Sequence, residues 1–290
     1  MLPGFTDHVA ALEGGHIAYS RAGQGAPLLL LHGFPQNRAM WHGIAPALAQ
    51  HFEVIAADLR GYGASFVPEN TAEAMSFRAM AADQVALMRS LGFEQFHVVG
   101  HDRGARTAHR MALDAPEALL SLTVADIVPT HTLLSDLDPF VAKSYYHWFF
   151  LAQPSPFPET FIGFDPDRYF ESCLSGWGKA GLDAFDADAL AAYRAAWRQP
   201  ERIAAMCNDY RAGIDVDFHL DAEDLTQRVT CPALVLYGAD GIMAEAYDVA
   251  ATWAPKLTDM THRALPGGHF LPDTHPAETT AALLKFLNGL

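Results

Sequence analysis

Aspartate stands at position 102, inside the turn Gly100-His101-Asp102-Arg103-Gly104. An apolar run, Phe96–Gly100, leads into this turn, and a helical pattern, Arg103–Asp114, follows at once. Strand, sharp turn and helix with small residues on both flanks is the layout of a G-x-S-x-G nucleophile elbow, here with a carboxylate where serine would stand. The helix start offers backbone N–H groups and a positive dipole end, both of which stabilise an anion. A carboxylate is ionised near neutral pH, so Asp102 needs no base before it attacks. Attack on saturated carbon with loss of a leaving group would leave an alkyl ester on the enzyme. On the pentapeptide alone, an ordinary N-cap accounts for the same aspartate.

Two further strand ends add to the case. His32-Gly33-Phe34-Pro35 follows the apolar run Pro27–Leu31, where an oxyanion-hole loop is expected. The backbone N–H groups of Phe34 and Arg103 would then hold the oxyanion of ester hydrolysis, and one such donor is worth about 3 kcal/mol. His269, in Pro266-Gly267-Gly268-His269-Phe270, follows the last strand pattern and would deprotonate the attacking water. The acid that orients this base has two candidates at strand ends, Asp126 and Asp240, and sequence position does not separate them.

Arg103 and Arg106 fall in the first turn of the helix after Asp102, three apart and hence on one face. Cations there oppose the helix macrodipole by roughly 0.3–1 kcal/mol each. A solvated helix face or pairing with Asp102 are the structural alternatives. The functional reading is a clamp for a substrate carboxylate, which the flat guanidinium fork suits. Two anions about 4 Å apart repel by about 4 kcal/mol at an effective dielectric of about 20, so an anionic nucleophile needs such cations to meet an anionic substrate.

These residues must be held by a scaffold, and the chain alternates apolar runs with helical patterns over most of its 290 residues. Val9–Ala11 and Ile17–Tyr19 around Gly14-Gly15 read as a hairpin. Pro27–Leu31, Phe52–Leu59, Phe96–Gly100, Leu122–Ile127, Ala233–Tyr237 and Thr261–Leu265 read as buried strands. Met40–Gln50, Phe77–Leu91 and Arg103–Asp114 read as helices between them. The expected fold is α/β: a mostly parallel sheet with helices on both faces. The rhythm stops between about 130 and 221, a stretch rich in aromatics and proline with helical patterns such as Asp188–Trp197. That stretch reads as a helical cap inserted between core segments 1–129 and 222–290.

Composition narrows the classes. Half of the residues are hydrophobic and 18% charged, a globular balance. No apolar run approaches the roughly 18 residues of a transmembrane helix, and the N-terminal residues do not form a secretory signal pattern. Cys173, Cys207 and Cys231 are widely spaced with no C-x-x-C, so neither a disulfide framework nor a zinc site is expected, and a reducing cytoplasm is the default. A formal net charge of −15 repels nucleic acid and anionic membranes. The same field repels small anions at long range, so an anionic substrate requires a local basic pocket.

With these motifs in place, the sequence resembles the haloacetate (including fluoroacetate) dehalogenases of the α/β-hydrolase superfamily. The resemblance spans nearly the whole chain and rests on HGFPQNRAMW (32–41), DLRGYG (58–63), GHDRGAR (100–106), DIVPT (126–130), YHWFF (146–150), GWG (176–178), DYRAG (209–213) and PGGHF (266–270). It implies Asp102 as nucleophile, His269 as base and Asp126 in preference to Asp240 as the orienting acid. It implies Arg103 and Arg106 as the carboxylate clamp, His147, Trp148 and Tyr210 as a halide cradle, and Trp177 as a pocket wall. Imidazole, indole and phenol are all donors, which a departing, strongly hydrated fluoride requires. The resemblance further implies no cofactor, and members of the family are often homodimers. One departure is visible: some relatives carry a tyrosine near the position of Leu133, whose absence would make this pocket less polar.

The reaction so implied is hydrolysis of short 2-haloacids to 2-hydroxy acids. An epoxide hydrolase would share the aspartyl-ester chemistry, but that family usually has tryptophan after the nucleophile and two cap tyrosines; Arg103 stands in the first of those positions. Haloalkane dehalogenases also usually carry that tryptophan and take neutral substrates. A serine esterase lacks its serine here, and a ligand receptor with this fold would not need a complete nucleophile, base and acid set.

Overall fold

The strands are β1 (Thr6–Leu12), β2 (Gly15–Ala22), β3 (Pro27–Leu31), β4 (Glu53–Ala57), β5 (Phe96–His101), β6 (Leu119–Ala125), β7 (Ala233–Gly238) and β8 (Met260–Leu265). They form one eight-stranded sheet in the order β1-β2-β4-β3-β5-β6-β7-β8. The β1–β2 and β2–β4 pairs are antiparallel and all other pairs are parallel. This computed structural model describes residues 2–177 and 180–290, the Trp177 side chain excepted. Central strands covered on both faces need apolar side chains in both directions, and Leu28 to Leu31 are fully buried.

The direction in which strands are added reverses at β3, which has β4 on one side and β5 on the other. Connections leaving β3 and β5 therefore diverge, and in open α/β sheets ligands bind in the crevice beyond such a point. Phe34 follows β3 and Asp102 follows β5, which sets both at that crevice.

The helices that matter for the site are α1 (Phe77–Ser90), α2 (Arg103–Asp114), α3 (Tyr146–Leu151), α4 (Pro166–Trp177), α5 (Ala187–Trp197), α6 (Pro200–Ala212) and α7 (Pro276–Leu287). Between β6 and β7 the described residues form helices and turns but no strand of the sheet, which is the inserted helical region. Within it, α6 starts on Pro200, whose missing N–H costs nothing in a first turn. Ile203, Met206, Cys207 and Tyr210 recur at helical spacing and are buried, which turns the Asp209–Tyr210 end of α6 toward the core. A π-helical stretch, Gly213–Asp217, follows directly.

The segment expected as a single helix over Met40–Gln50 is instead a 3-10 turn, Arg38–Gly43, and a separate short helix, Ala45–Leu48. Asn37 caps the first piece by accepting from the Ala39 N–H. Pro46, in the first turn of the second piece, has no N–H to continue a helix from the preceding turn. The apolar periodicity there reports burial, not continuity.

Candidate active site

Asp102 adopts φ 48° and ψ −115°, a conformation that L-residues rarely populate and that persists only where the surroundings impose it. Close packing imposes it here. A Cβ on Gly100 would collide with the Gly104 carbonyl, and a Cβ on Gly104 with the Leu31 and His32 carbonyls. The two flanking glycines are therefore a packing requirement of the turn. Asp102 also occupies the N-cap position of α2, but its side chain makes no capping hydrogen bond. The carboxylate is turned across the crevice: Oδ2 accepts from the Phe34 N–H at 3.0 Å, and Oδ1 lies 4.0 Å from His269 Nε2. That geometry separates it from an ordinary cap.

His269 Nδ1 stands 2.7 Å from Asp126 Oδ2. Asp126 is itself held at φ 52° and accepts from the Gly238 N–H at 2.8 Å through Oδ1. Asp240 is exposed and accepts from the Gly267 N–H, so it braces the loop before His269 and does not reach the imidazole. The His269 carbonyl accepts from His101 Nε2 at 2.7 Å. Burial, with the charge of His269, holds His101 down to about 4, so it stays neutral.

Electrostatics follow from this arrangement. Burial alone would push the Asp102 carboxyl up, but the charges of His269, His101, Arg103 and Arg106 outweigh it and bring it to about 2. Asp102 is thus an anion throughout the neutral range. Burial lowers the His269 imidazole, yet the Asp126 hydrogen bond and the charges of Asp126 and Asp102 overcome this, leaving its pKa above the usual histidine value.

Both arginines are buried, which excludes a solvated helix face. Arg103 pairs with a carboxylate that the sequence reading did not single out. Its Nε donates to Asp209 Oδ1 at 3.0 Å, and Nη2 donates to the Asp209 carbonyl at 2.6 Å and to Oδ1. Asp209 Oδ2 in turn accepts from the Tyr62 hydroxyl. The Arg103 guanidinium also lies over the rings of Tyr210 (4.3 Å), Phe77 (4.5 Å) and Trp148 (4.9 Å). Arg106 has no such carboxylate; Nη1 donates to the Val128 carbonyl and to Thr130 Oγ1, both at 3.1 Å.

The contrast shows in their charges. Burial would lower Arg103, but Asp209 reverses the effect and raises it. Burial pulls Arg106 down to about 10, against the charge of Asp102. Arg103 Nη1 and Arg106 Nε have no hydrogen-bond partner among the described residues. Buried donors of this kind call for an acceptor.

His147 and Trp148 on α3 and Tyr210 on α6 come together around Phe34. The Tyr210 ring lies 5.4 Å from both His147 and Trp148 and 5.0 Å from Phe34. A side chain at Gly213, in the π-helical stretch, would reach Trp148 Cζ3 at 3.1 Å and press on the cradle. Burial drives the His147 imidazole well below its usual pKa, so it is neutral and carries a single N–H. Leu133 is buried, with no phenol at that position. The Trp177 side chain lies outside the described residues. Among the described residues, no group of three or more His, Cys, Asp and Glu side chains could hold a metal ion, and no helix is long and apolar enough to cross a membrane.

Comparison with known proteins fits this geometry. The alpha/beta hydrolase fold family matches residues 26–276. The chain is 53% identical over 268 residues to a fluoroacetate dehalogenase of Burkholderia sp., covering 92% of this chain and 88% of that protein. It is 30% identical over 288 residues to a soluble epoxide hydrolase of Corynebacterium sp., covering 98% of each. A crystal structure from Nostoc sp., described as an α/β hydrolase, superposes over the whole of both chains with a TM-score of 0.97 at 47% identity.

Proposed function

Because the chain belongs to the α/β-hydrolase fold family, we propose that it is a haloacetate dehalogenase acting on short 2-haloacids, with a homodimer as its expected assembly. One observation carries the reading: the Asp102 carboxylate is turned to Phe34 and His269 instead of capping its helix, near a buried Arg106 whose Nε has no hydrogen-bond partner among the described residues.

The oxygens of Asp102 divide the work. Oδ2 already lies against the Phe34 N–H, so Oδ1 attacks the α-carbon, and the halide leaves with the bonding electrons toward His147, Trp148 and Tyr210. The ester carbonyl is then Oδ2, held where the oxyanion must develop, with the Arg103 N–H as the second donor. His269, oriented by Asp126, takes a proton from water as that water adds to the Asp102 carbonyl carbon. As the tetrahedral intermediate collapses, His269 returns its proton to the departing alkoxide oxygen, which releases the 2-hydroxy acid, and loss of the remaining carboxyl proton to solvent restores the Asp102 carboxylate. Arg103 Nη1 and Arg106 Nε would each take one oxygen of the substrate carboxylate, a bridged arrangement in place of the bidentate fork expected from sequence.

Epoxide hydrolysis is the second reading, favoured by the Corynebacterium relative. A neutral epoxide offers no carboxylate to the buried Arg103 Nη1 and Arg106 Nε donors, so the haloacid reading stands first. Halide release and diol formation across fluoroacetate, chloroacetate, neutral haloalkanes and epoxides decide between them. Release of halide from the haloacetates alone is expected; turnover of neutral substrates with none of haloacetates would overturn the carboxylate clamp.

A pH effect follows. Asp102 loses its charge on becoming an ester, which removes one of the interactions that raise His269. The imidazole therefore deprotonates more easily in the intermediate than in the free enzyme. The acid limb of kcat, measured where ester hydrolysis limits turnover, should lie at lower pH than the His269 titration followed by NMR in the free enzyme. An acid limb at or above that titration would contradict the assignment.

A further inference from the structure

A buried polar hub lies beside the oxyanion loop and takes no part in the reaction just described. It consists of Gln36, two residues beyond Phe34; Asp273, four residues beyond His269; and Tyr193, on α5 of the inserted region. All three are buried, with Tyr193 fully enclosed. Gln36 Nε2 donates to Asp273 Oδ2 at 2.8 Å and to the Tyr193 oxygen at 3.2 Å, and the Tyr193 hydroxyl donates to Asp273 Oδ1 at 3.1 Å. Each member thus belongs to a different segment, and the carboxyl of Asp273 is where the three meet.

Burial lifts the Asp273 carboxyl to about 7, with the charge of Asp186 acting in the same direction, against the hydrogen bonds from Gln36 and Tyr193. Burying a carboxyl without a cation is costly, and apolar side chains would join three segments at less expense. The polar hub adds direction. Hydrogen bonds fix the spacing between the Gln36 loop and the His269 segment to within a narrow range, which dispersion contacts do not.

We infer that Asp273, through Gln36 and Tyr193, is a positioning residue that keeps the Phe34 N–H and the His269 imidazole in register for ester hydrolysis. The inference rests on the proposed dehalogenase reading and is selective within it. Alkylation shares only the Phe34 N–H, which holds Asp102 Oδ2, and needs no proton transfer to His269. Ester hydrolysis needs the donor from one hub segment and the base from another at the same carbonyl. A misplacement of about 1 Å there costs on the order of 100-fold in rate.

The test is rapid-quench kinetics with chloroacetate on the full-length Tyr193→Phe and Asp273→Asn variants, with intact-protein mass spectrometry at each time point. Tyr193→Phe removes a single hydroxyl at constant ring volume and answers the question should Asp273→Asn fold poorly. The expected result is a halide burst slowed far less than turnover, which falls about 10- to 100-fold, with the carboxymethyl ester on Asp102 accumulating and KM not raised. A merely structural hub would lower the burst and the turnover together, or change neither, and either outcome overturns the proposal. The two readings fail separately. No ester in a His269→Asn variant speaks against the reaction, whereas normal ester decay in Tyr193→Phe speaks against the hub alone.

Discussion

His269→Asn should release a single equivalent of halide per site from chloroacetate and then stop, leaving a carboxymethyl group on Asp102. The halide comes from the first step, which needs only an ionised Asp102, and the interactions that keep it ionised do not depend on His269 alone: Arg103 and Arg106 also contribute. The second step needs a proton acceptor at the water. Asparagine keeps approximate size and can still hydrogen-bond, but it cannot take that proton. General-base assistance is worth about 100- to 10,000-fold, so the ester should persist long enough for peptide mapping to locate it. Steady turnover by His269→Asn at the wild-type rate, or an adduct on any residue other than Asp102, would sink the mechanism. The result is also the sharpest separation from a serine-type hydrolase, in which the same histidine is needed before the first step.

The features that could be read ahead of the structure are those carried by local pattern. PLLLL and FHVVG announce strands because a strand covered on both faces has no polar side, and the glycines around Asp102 announce a turn in which backbones nearly touch. Order along the chain then sets Phe34 and Asp102 at the ends of adjacent strands, and the loop after β8 carries His269 back to them. The unreadable features depend on contacts between distant segments. Asp126 and Asp240 look alike in sequence, and only the 2.7 Å approach of Asp126 to His269 distinguishes them, while Asp240 turns to a backbone amide. Pro46 is the local exception, a residue that divides a periodic stretch that looks like one helix. Asp209 lies 106 residues from Arg103, and nothing local to either residue declares the pair. A weak signal did exist: an arginine in the first turn of a helix opposes the macrodipole and calls for an anion, and DYRAG supplies one.

That pair leads to the second large effect. Asp209→Asn should destabilise the protein by about 3–5 kcal/mol, the usual consequence of leaving one member of a buried ion pair without its partner. The site is suited to such a loss, since both side chains are fully enclosed and Asp209 takes the Arg103 Nε and Nη2 donors through its carboxylate. Asparagine keeps the shape and can still accept from Tyr62, so the loss reports the charge rather than a cavity. Arg103→Met alone should cost a comparable amount by stranding the carboxylate. The double variant, Arg103→Met with Asp209→Asn, strands neither charge, so its loss should fall well short of the sum of the two single losses. Urea unfolding of the four proteins measures this coupling. Strictly additive losses would mean that the guanidinium is not held by Asp209. The same cycle bears on chemistry. If Asp209 neutralises Arg103, the net positive charge facing a haloacid comes from Arg106, and the two arginines beside Asp102 are unequal: one is anchored by a carboxylate of the inserted region, while the other faces the Asp102 charge with its Nε lacking an acceptor among the described residues.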